Sequence, residues 1–225
     1  LKGNQIVSGL ALTMIGMGLG ALIGAKYIGV PLGIYVHPIK IPVLGDIPII
    51  GALFRQNIFV YFGYLLAIIM WFILYYTRWG LEIRSAGENP SAAEALGVNV
   101  DRIRYMCVFI GGCLAGISGA YVSIVYMGSW SEILTLGKGW ISLALVIVSM
   151  WNPLLALLAS IAFGFLDVLA IWLRKHGVSP HIIGTLPYIM TIVMLCFIRR
   201  IMKRCGIPLA LGKPYIREEE ALYGV

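Results

Sequence analysis

The sequence predicts an all-α protein, a polytopic bundle of transmembrane helices with about six membrane segments. Hydrophobic residues make up 60% of its 225 residues and charged residues only 12%, whereas roughly 25% of an average soluble domain is charged. The mean hydropathy is +0.91. Apolar runs recur along the chain, and most approach the roughly 20 residues that a helix needs to span a bilayer.

Six apolar segments account for the predicted spans. In chain order they are segment A, Ile6–Val30; B, Ile58–Tyr76; C, Tyr105–Tyr126; D, Leu134–Met150; E, Leu154–Leu173; and F, Ile182–Ile198. Segment D is the least regular, because Lys138 and two glycines stand near its start. We therefore expect six crossings, or five with D as a re-entrant segment, and we treat residues 1–225 as a single transmembrane domain.

The distribution of basic residues orients these segments. A turn at Trp151–Pro153 separates D from E, and counting both segments places the polar stretch Thr77–Arg104 and the basic run Arg199–Arg204 on the same side. Loops rich in Lys and Arg favour the cytoplasmic face, so we expect this side and the C-terminus to be cytoplasmic. The net charge of +7 then reflects membrane topology, and we expect no nucleic-acid partner.

The stretch Thr77–Arg104 is the most informative part of the sequence, since it holds four of the ten acidic residues. Within it, Asn89 is a favoured N-cap, Pro90 is tolerated at the first helical position, and Gly97 permits a left-handed C-terminal turn. These residues predict a short helix over Pro90–Leu96, about 10 Å long. A capped helix on the cytoplasmic face is suited to docking a soluble partner.

Small residues recur every four positions in two of the segments. They are Gly16, Gly20 and Gly24 in A, and Gly112, Gly116 and Ala120 in C. Lipid provides no hydrophobic drive for association between helices, so close backbone approach through small residues becomes a main source of helix packing. We expect both stripes to pack against other helices.

One acidic residue, Asp167, lies deep inside an apolar segment. A charge at mid-bilayer costs roughly 2.5 to 3.5 kcal/mol on insertion scales, so we expect the carboxyl to face the bundle interior or a watery cavity, or to be protonated. Two roles stay open, the lining of a polar pathway and a structural hydrogen bond. Trp130 and Tyr188 are suited either to stacking on a ligand or to anchoring helices at the membrane interface.

No catalytic or metal-binding motif is recognisable in the sequence. It contains no HExxH pair, no Walker A loop and no nucleophile elbow. Its four cysteines have neither CxxC nor metal-ligand spacing. We therefore expect no enzyme activity, no cofactor and no bound metal, and we expect the energy for any active process to enter through the stretch Thr77–Arg104.

Three runs of sequence carry a family resemblance. They are WGLEIRSAGENPSAAEALGVNVDRIRYMCVFIGGCLAGISGAY, GKGWISLALVIVSMWNPLLALLASIAFGF and LPYIMTIVML. They resemble the permease subunits of ABC importers in the branched-chain amino acid and simple-sugar superfamily. NQIVSGLAL, KIPVLGDIPIIG and GKPYI are most similar to the nucleoside and simple-sugar branch, so the resemblance covers nearly the whole chain.

The resemblance implies a transport subunit that moves nucleosides or related simple sugars across the cytoplasmic membrane by alternating access, with no catalysis of its own. It implies three kinds of partner: ABC ATPase subunits that hydrolyse ATP, a second permease subunit in a homodimer or heterodimer, and an extracytoplasmic substrate-binding protein. The implied location is the inner membrane, which the chain crosses several times, with the C-terminus in the cytoplasm.

The resemblance also implies roles for particular residues. In these permeases the loop matching Thr77–Arg104 carries a coupling helix that seats in a groove of the ATPase. The residues carried over to coupling are Arg84, Gly87, Glu88, Asn89, Pro90, Ala93, Glu94 and Gly97. Those expected to fill the groove are Ala92, Ala93, Ala95 and Leu96, with Arg84, Glu88 and Glu94 on its rim. Candidates for the substrate pathway are Asn4, Trp130, Asp167 and Tyr188.

Other interpretations stay open. Within the superfamily, the alternative is a permease for branched-chain amino acids or ribose. Outside it, the alternative is a passive channel or a membrane scaffold whose loop binds a regulatory protein. Family members carry further membrane helices ahead of the segment matching Asn4–Leu12, so we expect this chain to lack the N-terminal helices of a full permease.

Overall fold

The computed structural model describes residues 5–33, 36–40, 50–131, 138–177, 179–201, 208–213 and 215. These residues include eight α-helices: α1 Gln5–Gly24, α2 Ile58–Tyr76, α3 Arg78–Glu88, α4 Pro90–Ala95, α5 Val100–Tyr121, α6 Lys138–Val148, α7 Pro153–Lys175 and α8 Pro180–Ile201. The chain forms two compact units. The first comprises Leu1–Tyr61, Arg78–Thr135 and Pro208–Val225, and the second comprises Phe62–Thr77 and Leu136–Ile207.

Four helical stretches among the described residues are long and apolar enough to cross a membrane. They are Gln5–Tyr27, Ile58–Tyr76, Val100–Met127 and Pro153–Lys175, which correspond to segments A, B, C and E. Segment D appears as a shorter apolar helix, Gly139–Val148, and segment F corresponds to α8. The predicted helical membrane architecture is confirmed, whereas the number of six crossings stays a prediction.

Helix α5 begins five residues earlier than segment C predicted. Asn99 is its N-cap, and the side-chain Oδ1 accepts a hydrogen bond from the backbone N–H of Arg102 at 2.9 Å. The hydropathy of segment C hid this start, because the first turn carries Asp101 and Arg102. At the other end, α5 continues into a π-helical turn, Val122–Met127.

The predicted turn between segments D and E is confirmed within the second unit. Met150 and Trp151 adopt left-handed backbone angles, with φ of 50° and 58°. Asn152 then caps α7 by accepting a hydrogen bond from Leu154 N–H at 3.0 Å, and Pro153 occupies the first helical turn. The same Asn-Pro pair that starts α4 therefore starts α7, because Pro lacks the N–H that the first turn leaves without a partner.

The proline-rich segment between α1 and α2 is anchored by a short β-hairpin. Strand β1, Ile39–Lys40, pairs antiparallel with β2, Arg55–Gln56, and a 3-10 helix, Ile50–Phe54, precedes β2. The Tyr61 hydroxyl in α2 donates a hydrogen bond to the Ile39 carbonyl at 3.0 Å. This bond ties the hairpin to the first turn of α2.

The end of α1 packs against the segment that follows α5. Gly24 is buried, and a β-carbon at this position would overlap the indole ring of Trp130. The neighbouring Ile28 pairs with Trp130 in an isolated β-bridge. Within the described residues, nothing lies within 4 Å of a β-carbon built at Gly16 or Gly20. Of the predicted stripe in α1, only Gly24 makes a close contact with the residues that the structure describes.

The two glycines of the stripe in α5 make no close contact within the described chain. Nothing there lies within 4 Å of a β-carbon built at Gly112 or Gly116. Gly24 packs on Trp130, which lies outside the helices, so the expectation that both stripes pack on other helices stays a prediction. The side chains of α1 and α5 that are exposed in the single chain can therefore contact neighbouring helices.

We predict that Gly24→Ala lowers the melting temperature of the purified protein, because the added methyl group displaces the Trp130 indole. Overpacking of this kind costs about 1–3 kcal/mol. Gly20→Ala is the matched control, because its methyl group meets no described atom and Ala favours the helix by up to about 1 kcal/mol. Thermal unfolding in detergent gives the comparison, and equal melting temperatures for Gly24→Ala and the wild type would contradict the packing.

Candidate functional site

The stretch Thr77–Arg104 is more helical than the sequence predicted. It holds α3, α4 and the first turn of α5, whereas capping residues predicted only one short helix. Helix α3 escaped prediction because it has no long apolar run and contains Gly80 and Gly87. It buries Gly80 and Ala86, and Ala86 packs in a core shared with α4 and α5, so its helical structure depends on that packing.

The predicted start of α4 is confirmed. Asn89 has an extended backbone, with φ of −142°, and its side-chain Oδ1 accepts a hydrogen bond from Ala92 N–H at 3.0 Å. Pro90 stands in the first turn and is buried. The cap therefore satisfies a backbone donor that the helix itself leaves free.

Helix α4 ends in a left-handed turn at the predicted glycine, one residue earlier than predicted, at Ala95. Gly97 has φ of +87°, and its N–H donates to the Glu94 carbonyl at 2.8 Å. The N–H of Val98 donates to the Ala93 carbonyl at 3.0 Å. These two bonds form a Schellman motif, which requires the left-handed residue that glycine supplies without steric cost.

A small apolar core joins the three helices. Ala86 of α3, Ala93 of α4 and Val100 of α5 are 3%, 2% and 2% exposed, and Val98 and Ile103 pack against them. Alanine side chains at the contact allow α3 and α4 to approach closely. Ala93 therefore faces the interior of its own chain, which corrects the expectation that its side chain fills a groove in the ATPase.

The opposite side of α4 is open. Leu96 is 85% exposed, and Ala92 and Ala95 are also exposed. Arg84 and Glu88 of α3 are exposed as well. The structure thus divides the predicted coupling residues into an inward set that positions the helix and an outward set that a partner can reach.

Sequence reasoning missed a segment that packs on this site. We call residues 208–213 and 215 the C-terminal strap. The N–H of Ala210 donates to the Gly87 carbonyl at the end of α3, at 3.0 Å. The Lys213 carbonyl accepts a hydrogen bond from the Arg104 guanidinium at 3.3 Å. The only signal in the sequence was the GKPYI run, which pointed to a family and to no role.

Tyr215 is the residue of the strap that contacts α4 directly. Its hydroxyl donates a hydrogen bond to the Glu94 carboxylate. The Arg104 guanidinium lies 5.6 Å from the centre of the Tyr215 ring, within the range of a cation–π interaction. The ring also packs on the core formed by Ala86, Ala93 and Val100. Glu94, predicted as a rim residue for the ATPase, is thus partly engaged inside the chain.

The predicted pathway residues occupy separate places. Asn4 lies outside the described residues. Trp130 lies in the first unit against Gly24, and its indole Nε1 is buried without a hydrogen-bond partner among the described residues. Asp167 on α7 and Tyr188 on α8 belong to the second unit, and both are exposed in the single chain. Their roles in a pathway stay predictions.

The first unit also contains a cavity of about 310 Å³. Its wall comprises Leu32 and Pro38, the polar residues Arg55 to Asn57, and residues 124–128 at the end of the π-helical turn. On the predicted topology this cavity lies towards the outer surface, away from α4. The described residues contain no cluster of His, Cys, Asp and Glu suited to a metal ion.

Comparisons with known proteins point to membrane transport. Residues 1–195 match the family described as branched-chain amino acid transport system, permease component. The chain is 35% identical to a putative glucose ABC transporter permease of Haloferax volcanii, over 97% of this chain and 74% of that protein. It is 33% identical to a nucleoside ABC transporter permease of Lactococcus lactis, over 97% and 71%.

A guanosine ABC transporter permease of Bacillus subtilis is 35% identical, over 96% of this chain and 70% of that protein. A search of the solved structures found no match. The similarity therefore rests on sequence, and it extends through the part of the chain that holds α3, α4 and α5.

We predict that Asn89→Ala loosens α4, because the substitution removes the acceptor for Ala92 N–H. Loss of an N-cap costs about 1 kcal/mol. Hydrogen exchange of peptides covering residues 89–98, measured by mass spectrometry in detergent, should accelerate about fivefold. Asn89→Asp keeps an acceptor and should exchange like the wild type. Wild-type exchange in Asn89→Ala would show that the cap does not hold the helix.

Proposed function

We propose that this chain, which belongs to the family of permease components of branched-chain amino acid transport systems, carries nucleosides or related simple sugars into the cell, as the descriptions of its relatives indicate. It is a permease subunit of an ABC importer and a multi-pass protein of the cytoplasmic membrane. We further propose that α4 and the C-terminus lie in the cytoplasm. We also propose that α4 binds the ATPase and transmits its ATP-driven conformational change to the membrane helices.

The names of the relatives support this substrate class. Two are described as permeases for a nucleoside or guanosine and one for glucose, at 33–35% identity over nearly the whole chain. Nucleosides and sugars share a ring with several hydroxyl groups, which a pathway binds through a few hydrogen-bonding side chains. Asp167, Trp130 and Tyr188 are the residues that we propose for such contacts.

The observation that carries the coupling proposal is the exposure of Leu96 at the end of a helix that is capped at both ends. A leucine that is 85% exposed on a polar surface gains by burial in a partner. The caps at Asn89 and Gly97 satisfy the ends of the helix, and the core contact at Ala93 holds its inner face. We assign ATP hydrolysis to separate ATPase subunits, whose groove takes Ala92, Ala95 and Leu96.

Two further partners complete the proposal. A second permease subunit is supported by the glycines of α1 and α5 that have no close neighbour among the described residues, because small residues favour contact between membrane helices. An extracytoplasmic substrate-binding protein delivers the solute on the opposite side from α4. The whole of residues 1–225 acts as one transmembrane domain, with 77–104 as its cytoplasmic coupling loop.

We predict ATP-dependent uptake of a labelled nucleoside or glucose by proteoliposomes that hold the permease pair, the ATPase and the binding protein. An excess of the unlabelled solute should suppress the uptake, and omission of the ATPase should abolish it. ATP-dependent uptake of branched-chain amino acids alone would overturn the substrate class. Uptake that does not need ATP would favour a passive channel.

We predict that Leu96→Asp weakens the binding of the ATPase at least tenfold, because burial of a leucine side chain contributes about 1.5–3 kcal/mol and a carboxylate in its place opposes burial. The permease should keep its melting temperature, since Leu96 contacts little of its own chain. Leu96→Met is the matched control and should bind normally. Unchanged affinity and uptake in Leu96→Asp would refute docking through this residue.

A further inference from the structure

The C-terminal strap contacts each of the three helices around the coupling loop, which docking of α4 alone does not require. One hydrogen bond reaches the end of α3 through the Gly87 carbonyl. A second reaches α4 through the Glu94 carboxylate. The third comes from the Arg104 guanidinium on α5. The strap thus closes a ring of non-covalent contacts around the small core.

The covalent connection between α4 and α5 is a poor transmitter of force. It consists of four residues, Leu96–Asn99, and includes Gly97, whose backbone is less restricted than that of any other residue. This link alone leaves α4 free to turn relative to α5, so the angle between the two helices depends on non-covalent contacts such as that of Ala93 with Val100. A second point of attachment on α4 would remove this freedom, since a displacement of α4 would then move α5 as well.

Tyr215 provides that second point. Its hydroxyl bonds to Glu94, and the Arg104 guanidinium lies over its ring. A hydrogen bond to an ionised carboxylate is stronger than one between neutral groups. The phenol therefore bridges an anion on α4 and a cation on α5, while Tyr215 packs against the core formed by Ala86, Ala93 and Val100.

We infer that Tyr215 is a positioning residue for energy coupling, which holds α4 in register with α5 so that a movement imposed on α4 by the ATPase passes into the membrane span that begins at Val100. This inference rests on the proposed function of α4. It gives the strap a role in the transport cycle and none in binding the solute. Without the bridge, α4 still docks, but part of its movement is lost in the Gly97 link.

The test removes the hydroxyl and keeps the ring. In Tyr215→Phe the contacts of the ring with the core and with Arg104 persist, so the fold and the melting temperature should be retained. Glu94→Gln weakens the same bond from the other side. Tyr27→Phe is the control, because Tyr27 lies in the 3-10 helix after α1 with its side chain exposed, away from α4 in the sequence and with no role in coupling.

Two readouts are needed. Hydrogen exchange of residues 89–98 in the permease alone should rise about threefold to tenfold in Tyr215→Phe and in Glu94→Gln. In proteoliposomes, the number of solute molecules taken up per ATP hydrolysed should fall severalfold in both variants, with ATPase affinity unchanged. The double variant should be no worse than either single variant, because both substitutions remove one interaction. Tyr27→Phe should match the wild type throughout.

The outcomes separate this inference from the proposed function. Wild-type exchange and a wild-type ratio of solute to ATP in Tyr215→Phe would overturn the role of Tyr215 and leave the transporter assignment intact. Additive losses in the double variant would also overturn it. Absence of ATP-dependent uptake by the wild-type complex would refute the proposed function, and a role of Tyr215 in coupling would fall with it, even if exchange showed that the strap holds α4.

Discussion

The close approach of α3 and α4 through Ala86 and Ala93 is the constraint on which the rest of the candidate site depends. Two alanines bring the helix backbones together, and Val100 closes the contact from α5. A helix of six residues is far too short to be stable alone, since isolated helices below about 12–15 residues are marginal in water. Its caps and this core therefore supply the stability that its length does not.

Local signals were enough to predict the features that depend on local chemistry. Asn89 and Gly97 predict the two ends of α4, because side-chain capping and a left-handed backbone depend on single residues and their near neighbours. The Asn152-Pro153 pair predicts the start of α7 for the same reason. Long apolar runs predicted α1, α2 and α7, because the thickness of the bilayer sets the length of a spanning helix.

Features that depend on distant contacts escaped prediction. Helix α3 has no apolar run, and only packing explains its burial of Ala86. The inward direction of Ala93 follows from that same packing, so the sequence alone assigned its side chain to the partner. The contact between Tyr215 and Glu94 joins residues 121 positions apart, and no periodicity or motif spacing carries that information. The pathway residues belong to this class too, because their roles depend on how helices and further chains assemble.

The sequence separation of the strap has a consequence for biogenesis. A ribosome releases α4 long before it has made Tyr215, since all the segments from α5 to α8 lie between them. The nascent protein can therefore complete the surface around α4 only after these segments have left the ribosome. The bond between Glu94 and Tyr215 can therefore form only after the last described helix has been synthesised, and until then α4 lacks its contact with the strap.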